Sequence, residues 1–184
     1  GRAPGRIGEY LALTGGRMGP GDAIHAGFAD SYLPEAEWPS LIEDLERTGD
    51  ATRIVGVAPP PAPLARRDLS AFGERRVGDI AAALEKIGQE DALKPIRRNS
   101  PLSMAVGLAL VRTSRGDRRM QDSLSREYRF TYRATEESDF LEGVRAQIID
   151  KDRNPTWRHA SIEEVPEEDI ARMRAPLGDE ALSI

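Results

Sequence analysis

Apolar positions recur at helical spacing in short stretches of the first quarter of the chain, and glycine or proline ends each stretch. The pattern predicts a helix at about residues 6–13, followed by a Gly-Gly pair, and a second short helix at 22–26, which Gly27 ends. Residues 28–33 are predicted to form a brief extended segment that Pro34 closes. The chain is therefore expected to begin as helix, turn, helix and strand.

A third helical stretch leads into a connector rich in proline. Leu41, Ile42 and Leu45 recur at helical spacing before Gly49, which predicts a helix whose apolar face points inward. The next segment, 50–63, contains the run Val-Ala-Pro-Pro-Pro-Ala-Pro, whose prolines lack backbone donors and favour extended geometry. We therefore expect an exposed connector here.

The middle of the chain carries the clearest amphipathic pattern. Asp79 is followed by four apolar residues at the spacing of one helix face: Ile80, Ala83, Leu84 and Ile87. Gly88 is predicted to end this helix. A shorter helical piece is expected to open at Asp91 and to be broken or kinked by Pro95.

Helical signals also fill the remainder of the chain. Ser100 and Pro101 supply an N-cap and a first-turn proline for a helix to about residue 115. Further helices are predicted at 120–132, at 138–149 and at 167–173. The predicted fold class is therefore mainly α with a short β-strand.

Composition and charge argue against several classes of function. The 184 residues carry a net charge of -5, whereas nucleic-acid binding requires clustered Lys and Arg in excess, so no nucleic-acid partner is expected. The absence of cysteine excludes disulfides, thiolate zinc sites and cysteine nucleophiles. No apolar run approaches the roughly 18 residues of a membrane helix, so no membrane partner is expected. A reducing cytoplasm is the predicted location.

Candidate chemistry is sparse, and each candidate has a structural explanation. His25 and His159 have no second ligand at metal-binding spacing, so no metal site is expected. Six arginines could meet an anion, although a solvated face is favoured: Arg97, Arg98, Arg112, Arg115, Arg118 and Arg119. Four carboxylates flank a predicted helix N-terminus, where negative charge is favourable without catalysis: Glu136, Glu137, Asp139 and Glu142. The residues themselves indicate no self-contained active site.

A first block of short motifs lies near the start of the chain. It consists of G-R-I-G-E-Y-L-A-L-T-G at 5–15, Asp22-Ala23, and A-G-F-A-D at 26–30. At these intervals the block resembles the helix, turn and strand that follow the active-site segment in crotonase-superfamily acyl-CoA enzymes. The resemblance implies a crotonase-like α/β fold for the protein to which this block belongs.

A second block lies in the helical part of the chain. Asn99-Ser100-Pro101 leads to E-Y-R at 127–129, to D-F-x-E-G-V-R-A at 139–146 and to D-K-D-x-x-P-x-W at 150–157. The E-G-x-x-A and K-x-x-x-P-x-W patterns resemble the superfamily's C-terminal helices. The longer motifs E-Y-R, D-F-x-E-G-V-R-A and D-K-D are similar to those of the 3-hydroxyisobutyryl-CoA hydrolases in particular.

The resemblance covers nearly the whole chain and implies the C-terminal half to two-thirds of a longer protein. On this view residues 1–33 are the end of the crotonase core, and 34–184 are a C-terminal helical region with the connector at 50–63. In the hydrolase group a segment just before the first block supplies a glutamate and an aspartate. No such segment occurs here, so the catalytic residues are unknown, and neither Glu9 nor Asp22 can be assigned these roles.

The resemblance also implies a ligand and partners. Lys151 matches a lysine that often approaches coenzyme A phosphates, and a compact ammonium suits that task. An equally good account makes Lys151 a helix-end cation near terminal carbonyls. Coenzyme A is expected only as part of an acyl-CoA substrate, without a separate cofactor. The expected partners are that substrate, the missing N-terminal half and a second copy in a homo-oligomer.

Three functions compete for the protein that contains this chain. The first is hydrolysis of 3-hydroxyisobutyryl-CoA or a similar short acyl-CoA, a thioesterase of the valine-degradation type. The second is an enoyl-CoA hydratase or isomerase of the same fold, which shares the E-G-x-x-A helix. The third is a non-catalytic helical module for binding or assembly.

Overall fold

A computed structural model describes residues 3–183 of the chain. Within that range the α-helices are α1 (Ile7–Thr14), α2 (Pro20–His25), α3 (Trp38–Thr48), α4 (Val77–Lys86), α5 (Glu90–Arg98), α6 (Pro101–Ser114), α7 (Met120–Glu137), α8 (Phe140–Val144) and α9 (Glu167–Arg174). A π-helical turn, Arg145–Ile149, continues α8 directly. Short 3₁₀ turns occupy Glu35–Glu37, Ala51–Arg53, Pro63–Arg66, Ser70–Gly73 and Gly178–Glu180.

The main core lies where α1, α4, α5 and α6 meet. Phe72, Ile80, Leu84 and Ile96 are each fully buried in it. Tyr10 packs edge-on against Phe72 with ring centroids 5.5 Å apart. Burial of apolar side chains at this junction stabilises the fold, and the apolar face predicted for α4 contributes Ile80 and Leu84 to it.

Helix α6 is central because it serves two cores. Leu108 belongs to the main core, whereas Leu102 and Val106 pack with Val165 and Met173 in a second core between α6, α7 and α9. A helix that is apolar on more than one face is buried between neighbours. The α6 boundaries follow the predicted start, since the Ser100 hydroxyl accepts from the Ser103 N–H at 3.1 Å.

Two helix boundaries differ from the predictions. Helix α4 begins at Val77, and Asp79 lies in its first turn, where its carboxylate accepts from the Arg76 N–H at 3.2 Å. Helix α5 continues through Pro95 to Arg98 instead of breaking there. The carbonyl that would accept from residue 95 belongs to Asp91, at the exposed surface, where solvent can satisfy it.

The predicted extended segment contributes a single antiparallel bridge between Tyr32 and Val57, closed by a 2.8 Å bond from the Val57 N–H to the Tyr32 carbonyl. The connector, 50–63, is almost wholly exposed, as predicted, but it is anchored at its end. There the buried Asp22 carboxylate accepts from the Leu64 N–H at 2.8 Å. Gly21 lies so close to the connector backbone that a side chain would overlap it.

The prediction that α3 buries its apolar face is wrong. No residue of α3 is buried, and Trp38 and Ile42 are about half exposed. The main neighbours of the helix are the 3₁₀ turns on either side of it, Glu35–Glu37 and Ala51–Arg53. Helical periodicity identified the helix, but the described residues provide no core element to cover its face.

The C-terminal helices are longer or less regular than predicted. Helix α7 runs on to Glu137, and the predicted helix at 138–149 is α8 followed by the π turn. The Ser138 hydroxyl accepts from the Phe140 N–H at 3.2 Å, which agrees with its predicted capping role. Within residues 3–183, every helix is too short or too polar to serve as a membrane span.

Candidate functional site

Four large apolar side chains on α8 and the π turn are exposed to solvent. Phe140 and Leu141 are 54% and 58% exposed, and Ile148 and Ile149 are 65% and 68% exposed. We call these four residues the apolar ledge. Clustered exposure of this kind marks a surface that meets a ligand or another protein surface.

A cleft of about 270 Å³ lies beside the ledge, and Phe140, Val144 and Ile148 line it together with Trp157. Trp157 packs on α8 beside Gly143, where an added Cβ would make an ordinary van der Waals contact with the indole ring at 3.7 Å. The indole N–H donates to the Arg98 carbonyl at 3.0 Å. Trp157 is therefore a packing residue that shapes the cleft.

Arg145 holds the loop that follows the ledge. Its guanidinium contacts both oxygens of Glu142 at 2.8 Å, Asp150 at 2.6 Å and Asp152 at 2.7 Å, and it donates to the Asn154 carbonyl at 3.1 Å. A planar guanidinium with five N–H donors is suited to such multiple contacts. Arg145 thus acts as a hub that joins α8 to the loop after the π turn.

Arg145 lowers the pKa values of carboxylates that it binds. The Arg145 hydrogen bonds, and then the Thr156 N–H, lower the pKa of Glu142 to about 2. Arg145 likewise lowers the pKa of Asp152, and the bound carboxylates raise the pKa of Arg145 itself. These groups therefore stay charged across the physiological range, and none of them is poised for proton transfer.

Lys151 lies in this loop with an uncommon backbone conformation. Its φ is 57°, and the φ of Arg153 is 55°, both in the left-handed region that non-glycine residues seldom adopt. Such a conformation persists only where the surroundings over-determine it, and here the Arg145 hub and a 3.0 Å bond from the Arg153 N–H to the Ala146 carbonyl do so. The exposed Lys151 therefore extends from a backbone that is held in place just beyond the ledge.

Asp139 has a structural role at the start of α8, since its carboxylate is engaged in hydrogen bonds. The side chain is buried and accepts from the Ser100 hydroxyl at 2.5 Å and from the Arg158 N–H at 2.8 Å. Through these bonds one carboxylate joins the start of α6, the end of α7 and the segment after Trp157. Of the four carboxylates considered in the sequence, Asp139 and Glu142 are therefore structural.

Five of the six arginines considered in the sequence are exposed, as the predicted solvated face requires, but Arg112 and Arg115 also approach a buried acid. Arg115 and Arg6 contact the two oxygens of Glu9 at 2.6 Å and 2.9 Å, and Arg112 lies 3.9 Å from it. Glu9 is fully buried on α1. Burial by itself raises the pKa of Glu9, but the hydrogen bonds from Arg115 and Arg6 outweigh it, so that its pKa is lowered.

The other candidate groups also have structural roles. Arg97 pairs with Glu85 at 2.7 Å, and Arg119 pairs with Asp122 at 2.8 Å. His159 contacts Asp169 at 2.9 Å. His25 is exposed on α2, and residues 3–183 contain no group of three or more potential ligands that could hold a metal ion.

Glu9 and Asp22, the two carboxylates nearest the expected catalytic segment, are both committed to structure. Glu9 is enclosed by arginines, and Asp22 binds the Leu64 N–H. Sequence reasoning missed the buried Glu9 cluster and the hub. The i, i+3 spacing of Glu142 and Arg145 could have indicated one pair of the hub, whereas no sequence signal joins Ser100 to Asp139.

A second exposed cleft, of about 440 Å³, lies between α3 and the segments 31–33 and 54–56. Its walls are mainly apolar, and Trp38 and Ile42 contribute to them. No cationic side chain lines this cleft within residues 3–183. The 270 Å³ cleft beside the ledge has no cationic lining residue among the described residues either, and the ledge differs in that Lys151 follows it by two residues along the chain.

Comparisons with known proteins agree with this architecture. The family model for enoyl-CoA hydratase/isomerase matches residues 1–173. An enoyl-CoA hydratase structure from Rhodobacter sphaeroides 2.4.1 superposes with a TM-score of 0.93 at 47% identity, covering 100% of this chain and 55% of that one. A carnitinyl-CoA dehydratase from Mycobacterium thermoresistibile gives a TM-score of 0.89 at 32% identity, covering 99% of this chain and 54% of that one. The predicted helical C-terminal part of a crotonase-like fold is confirmed.

Relatives by sequence carry hydrolase names. The mitochondrial 3-hydroxyisobutyryl-CoA hydrolase of Gallus gallus is 30% identical over 100% of this chain and 52% of its own length. The human enzyme of the same name is 30% identical over 98% of this chain and 52% of its own length. The chain thus spans about half the length of the curated relatives it matches.

The names of these relatives correct one expectation. The prediction of a cytoplasmic location is wrong, because the avian and human relatives are both named mitochondrial. A chain without cysteine is compatible with any reducing compartment, so cysteine usage could not separate these locations. A match across nearly the whole chain, with the same helical architecture, places the chain in the enoyl-CoA hydratase/isomerase family, the crotonase superfamily.

Proposed function

We propose that the complete protein carrying this chain hydrolyses the thioester of 3-hydroxyisobutyryl-CoA or a similar short acyl-CoA, a reaction of the valine-degradation type. The observation that carries the proposal is the match to relatives named 3-hydroxyisobutyryl-CoA hydrolase across the whole chain. The motif D-F-x-E-G-V-R-A, which resembles that of the hydrolases, also supports the proposal. This motif contains Glu142 and Arg145, which form part of the hub.

In this proposal the chain supplies a binding surface. The apolar ledge and its cleft offer contact for the apolar parts of an acyl-CoA, since concave apolar surfaces with few polar groups are typical of ligand sites. Lys151 lies two residues beyond Ile149, where an ammonium can contact a phosphate of coenzyme A. The Arg145 hub supports this arrangement by restraining the loop.

The chemistry itself is assigned to the other half of the protein. Thioester hydrolysis requires donors aimed at the developing oxyanion and a carboxylate that activates water or attacks the carbonyl. Four buried or hub-bound carboxylates of this chain, Glu9, Asp22, Asp139 and Glu142, are engaged in structural bonds. We infer that the reaction proceeds with coenzyme A only as part of the substrate.

The decisive experiment measures release of free coenzyme A from 3-hydroxyisobutyryl-CoA by the complete protein, using a thiol reagent. This chain adds no background to that assay because it contains no cysteine. Turnover with this substrate, well above that with a long-chain acyl-CoA, supports the proposal. Absence of thiol release, with a folded protein, refutes it and leaves the non-catalytic module as the remaining account if hydration is absent too.

Hydration of an enoyl-CoA is the second candidate, and one observation favours it. The structure named an enoyl-CoA hydratase shares 47% identity with this chain, whereas the hydrolase relatives share 30%. The same protein should then remove the conjugated absorbance of crotonyl-CoA without releasing a thiol. The two assays, run on one preparation, separate the two reactions.

The proposed role of Lys151 has its own test. We expect Lys151→Ala to raise the KM for the acyl-CoA about three- to tenfold with little change in kcat, since a screened contact to a phosphate contributes mainly to binding. Lys94→Ala is the matched control, because Lys94 is also exposed but lies on α5. Equal KM values for the two variants would exclude Lys151 from the coenzyme A site.

A further inference from the structure

The exposed cleft of about 440 Å³ beside α3, which we call the α3 cleft, combines apolar walls with two aromatic side chains. Trp38 and Ile42 on α3 and Ile54 on the opposite wall are each about half exposed, and Tyr32 also lines the cleft. Exposed apolar side chains gathered in one concave surface mark interaction sites, where Trp and Tyr often carry much of the binding energy. The α3 cleft is therefore a surface suited to contact with another protein.

The apolar positions of α3 form a seam that a second helix can cover. Trp38, Leu41, Ile42 and Leu45 follow the i, i+3, i+4, i+7 spacing of one helix face, and the first three line the cleft. At 1.5 Å per residue the seam is about 10 Å long, which equals two turns of a facing helix. An amphipathic helix that binds in an apolar groove presents its own apolar residues at this same spacing. The shape of the α3 cleft therefore favours a helical occupant.

Negative charge is concentrated around the α3 cleft. Residues 28–57 contain α3 and the segments on the other side of the cleft, and they carry seven acidic residues and two arginines. The net charge of these 30 residues is -5, which equals the net charge of the whole chain. The rest of the chain is therefore neutral in sum, and the charge imbalance of the protein lies beside this cleft.

Most of the acidic residues in this segment lack a cationic partner. The carboxylates of Asp44 and Asp50 contact arginines of the same segment. The other five acidic residues are exposed and form no ion pair within residues 3–183: Asp30, Glu35, Glu37, Glu43 and Glu46. Glu43 adjoins Ile42, and Glu46 lies one helical turn beyond it. A cationic partner would relieve the mutual repulsion of these charges, whereas an anionic partner would increase it.

We propose that the α3 cleft binds a cationic amphipathic helix of a partner protein. The apolar side chains of that helix pack against Trp38 and Ile42, and its flanking Lys or Arg side chains contact Glu43 and Glu46. The apolar contact supplies affinity, and the carboxylates select a partner by its charge. The α3 cleft lies on other elements than the apolar ledge, so the inference does not rest on the proposed thioesterase function.

Binding of a labelled peptide to the complete protein, followed by fluorescence anisotropy, tests this inference. The probe is a helix-forming peptide of leucine and lysine, about 14 residues long, with leucines at i, i+3, i+4 and i+7. It should bind saturably and shift the NMR signal of the Trp38 indole N–H, which Trp38→Phe assigns. Two control peptides, one with serine for leucine and one with glutamate for lysine, should each bind at least about tenfold more weakly.

Several results of these measurements would overturn the inference. Equal binding of either control peptide would exclude the stated partner chemistry. The absence of binding by the leucine-lysine peptide, or a Trp38 signal that does not move on binding, would exclude the site. A Trp38 that is already shielded from acrylamide quenching in the complete protein would show that the other half of the protein or a second copy occupies the cleft.

Matched variants locate the contact. Ile42→Ser removes apolar surface that is 52% exposed and should weaken the peptide at least about tenfold, whereas Ile87→Ser alters a 46% exposed position outside the cleft and should change the affinity less than about twofold. Equal effects of these two variants would refute the apolar contact.

A second matched pair tests the charges. Glu43→Gln combined with Glu46→Gln should weaken the peptide about fivefold at low salt and reduce the salt dependence of its affinity. Glu163→Gln combined with Glu164→Gln removes two exposed carboxylates elsewhere and should have less than about half of that effect on the binding free energy. Equal losses of affinity for the two double variants would refute selection by the acids of α3.

Discussion

Replacing Glu9 by glutamine should be among the most destabilising conservative changes in this chain. The substitution keeps the shape of the side chain but removes the carboxylate that, among residues 3–183, is the one acidic partner of Arg6, Arg112 and Arg115. Breaking a buried ion pair by removing one partner typically costs about 3–5 kcal/mol. Because Arg6 and Arg115 are 43% and 33% exposed, solvent relieves part of their charge, and we expect about 2–4 kcal/mol here.

Urea-induced unfolding of the complete protein measures this loss. With a slope of about 2 kcal/mol per molar urea, the midpoint of the transition that includes α1 should fall by about 1–2 M. Glu85→Gln is the matched control, because its partner Arg97 is 54% exposed, and it should shift the midpoint by less than about 0.3 M. Equal shifts for the two variants would refute the claim that the buried cluster stabilises the fold.

The same cluster predicts a pH dependence. Because the pKa of Glu9 is lowered in the folded protein, its stabilisation is fully present above its ordinary value of 4.5 and is lost as the pH falls through the folded pKa. The stability difference between the native protein and Glu9→Gln should therefore be constant near neutral pH and shrink below pH 4.5. A difference that grows on acidification would contradict this sign.

Three further predictions test other contacts. Gly21→Ala should lower the free energy of unfolding by about 2–3 kcal/mol or expose the connector to limited proteolysis, because the new methyl group overlaps connector carbonyls. Gly19→Ala is the control: its methyl group meets open space, and the free energy of unfolding should change little. Gly107→Ala, inside α6 with nothing within 4 Å of the new methyl group, should raise the thermal midpoint, since alanine stabilises a helix interior by about 0.5–1 kcal/mol. Arg145→Gln should return the pKa of Glu142 from about 2 toward 4.5 in a carbon-detected NMR titration, and a value that stays near 2 would exclude the hub as the cause.

Local sequence signals predicted most helices because each signal acts over a few residues. The Ser100-Pro101 start of α6 and the glycine after α3 have the predicted roles, since N-caps and left-handed C-caps depend only on adjacent backbone. Of the two outcomes predicted at Pro95, a break or a kink, the break does not occur, for the converse reason. A proline removes one bond locally, but whether the helix continues depends on the surroundings of the freed carbonyl.

The candidate site was only partly accessible from sequence. Lys151 is a candidate coenzyme A contact through resemblance alone, and its left-handed backbone and the Arg145 hub that supports it became visible only in three dimensions. The role of Asp139 was hidden in the same way, because its partner Ser100 lies 39 residues away along the chain. Pairings over such distances are set by how the helices pack, and no local pattern encodes them.

The sequence by itself determined the order of the helices, their capping residues and the family to which the chain belongs. These properties depend on neighbouring residues and on motifs read in order along the chain. Only the tertiary structure decided that Glu9 is enclosed by arginines while Ile42 and the apolar ledge face solvent. Periodicity defines which face of a helix is apolar, but burial requires a second surface to cover that face, and packing alone determines where one is present.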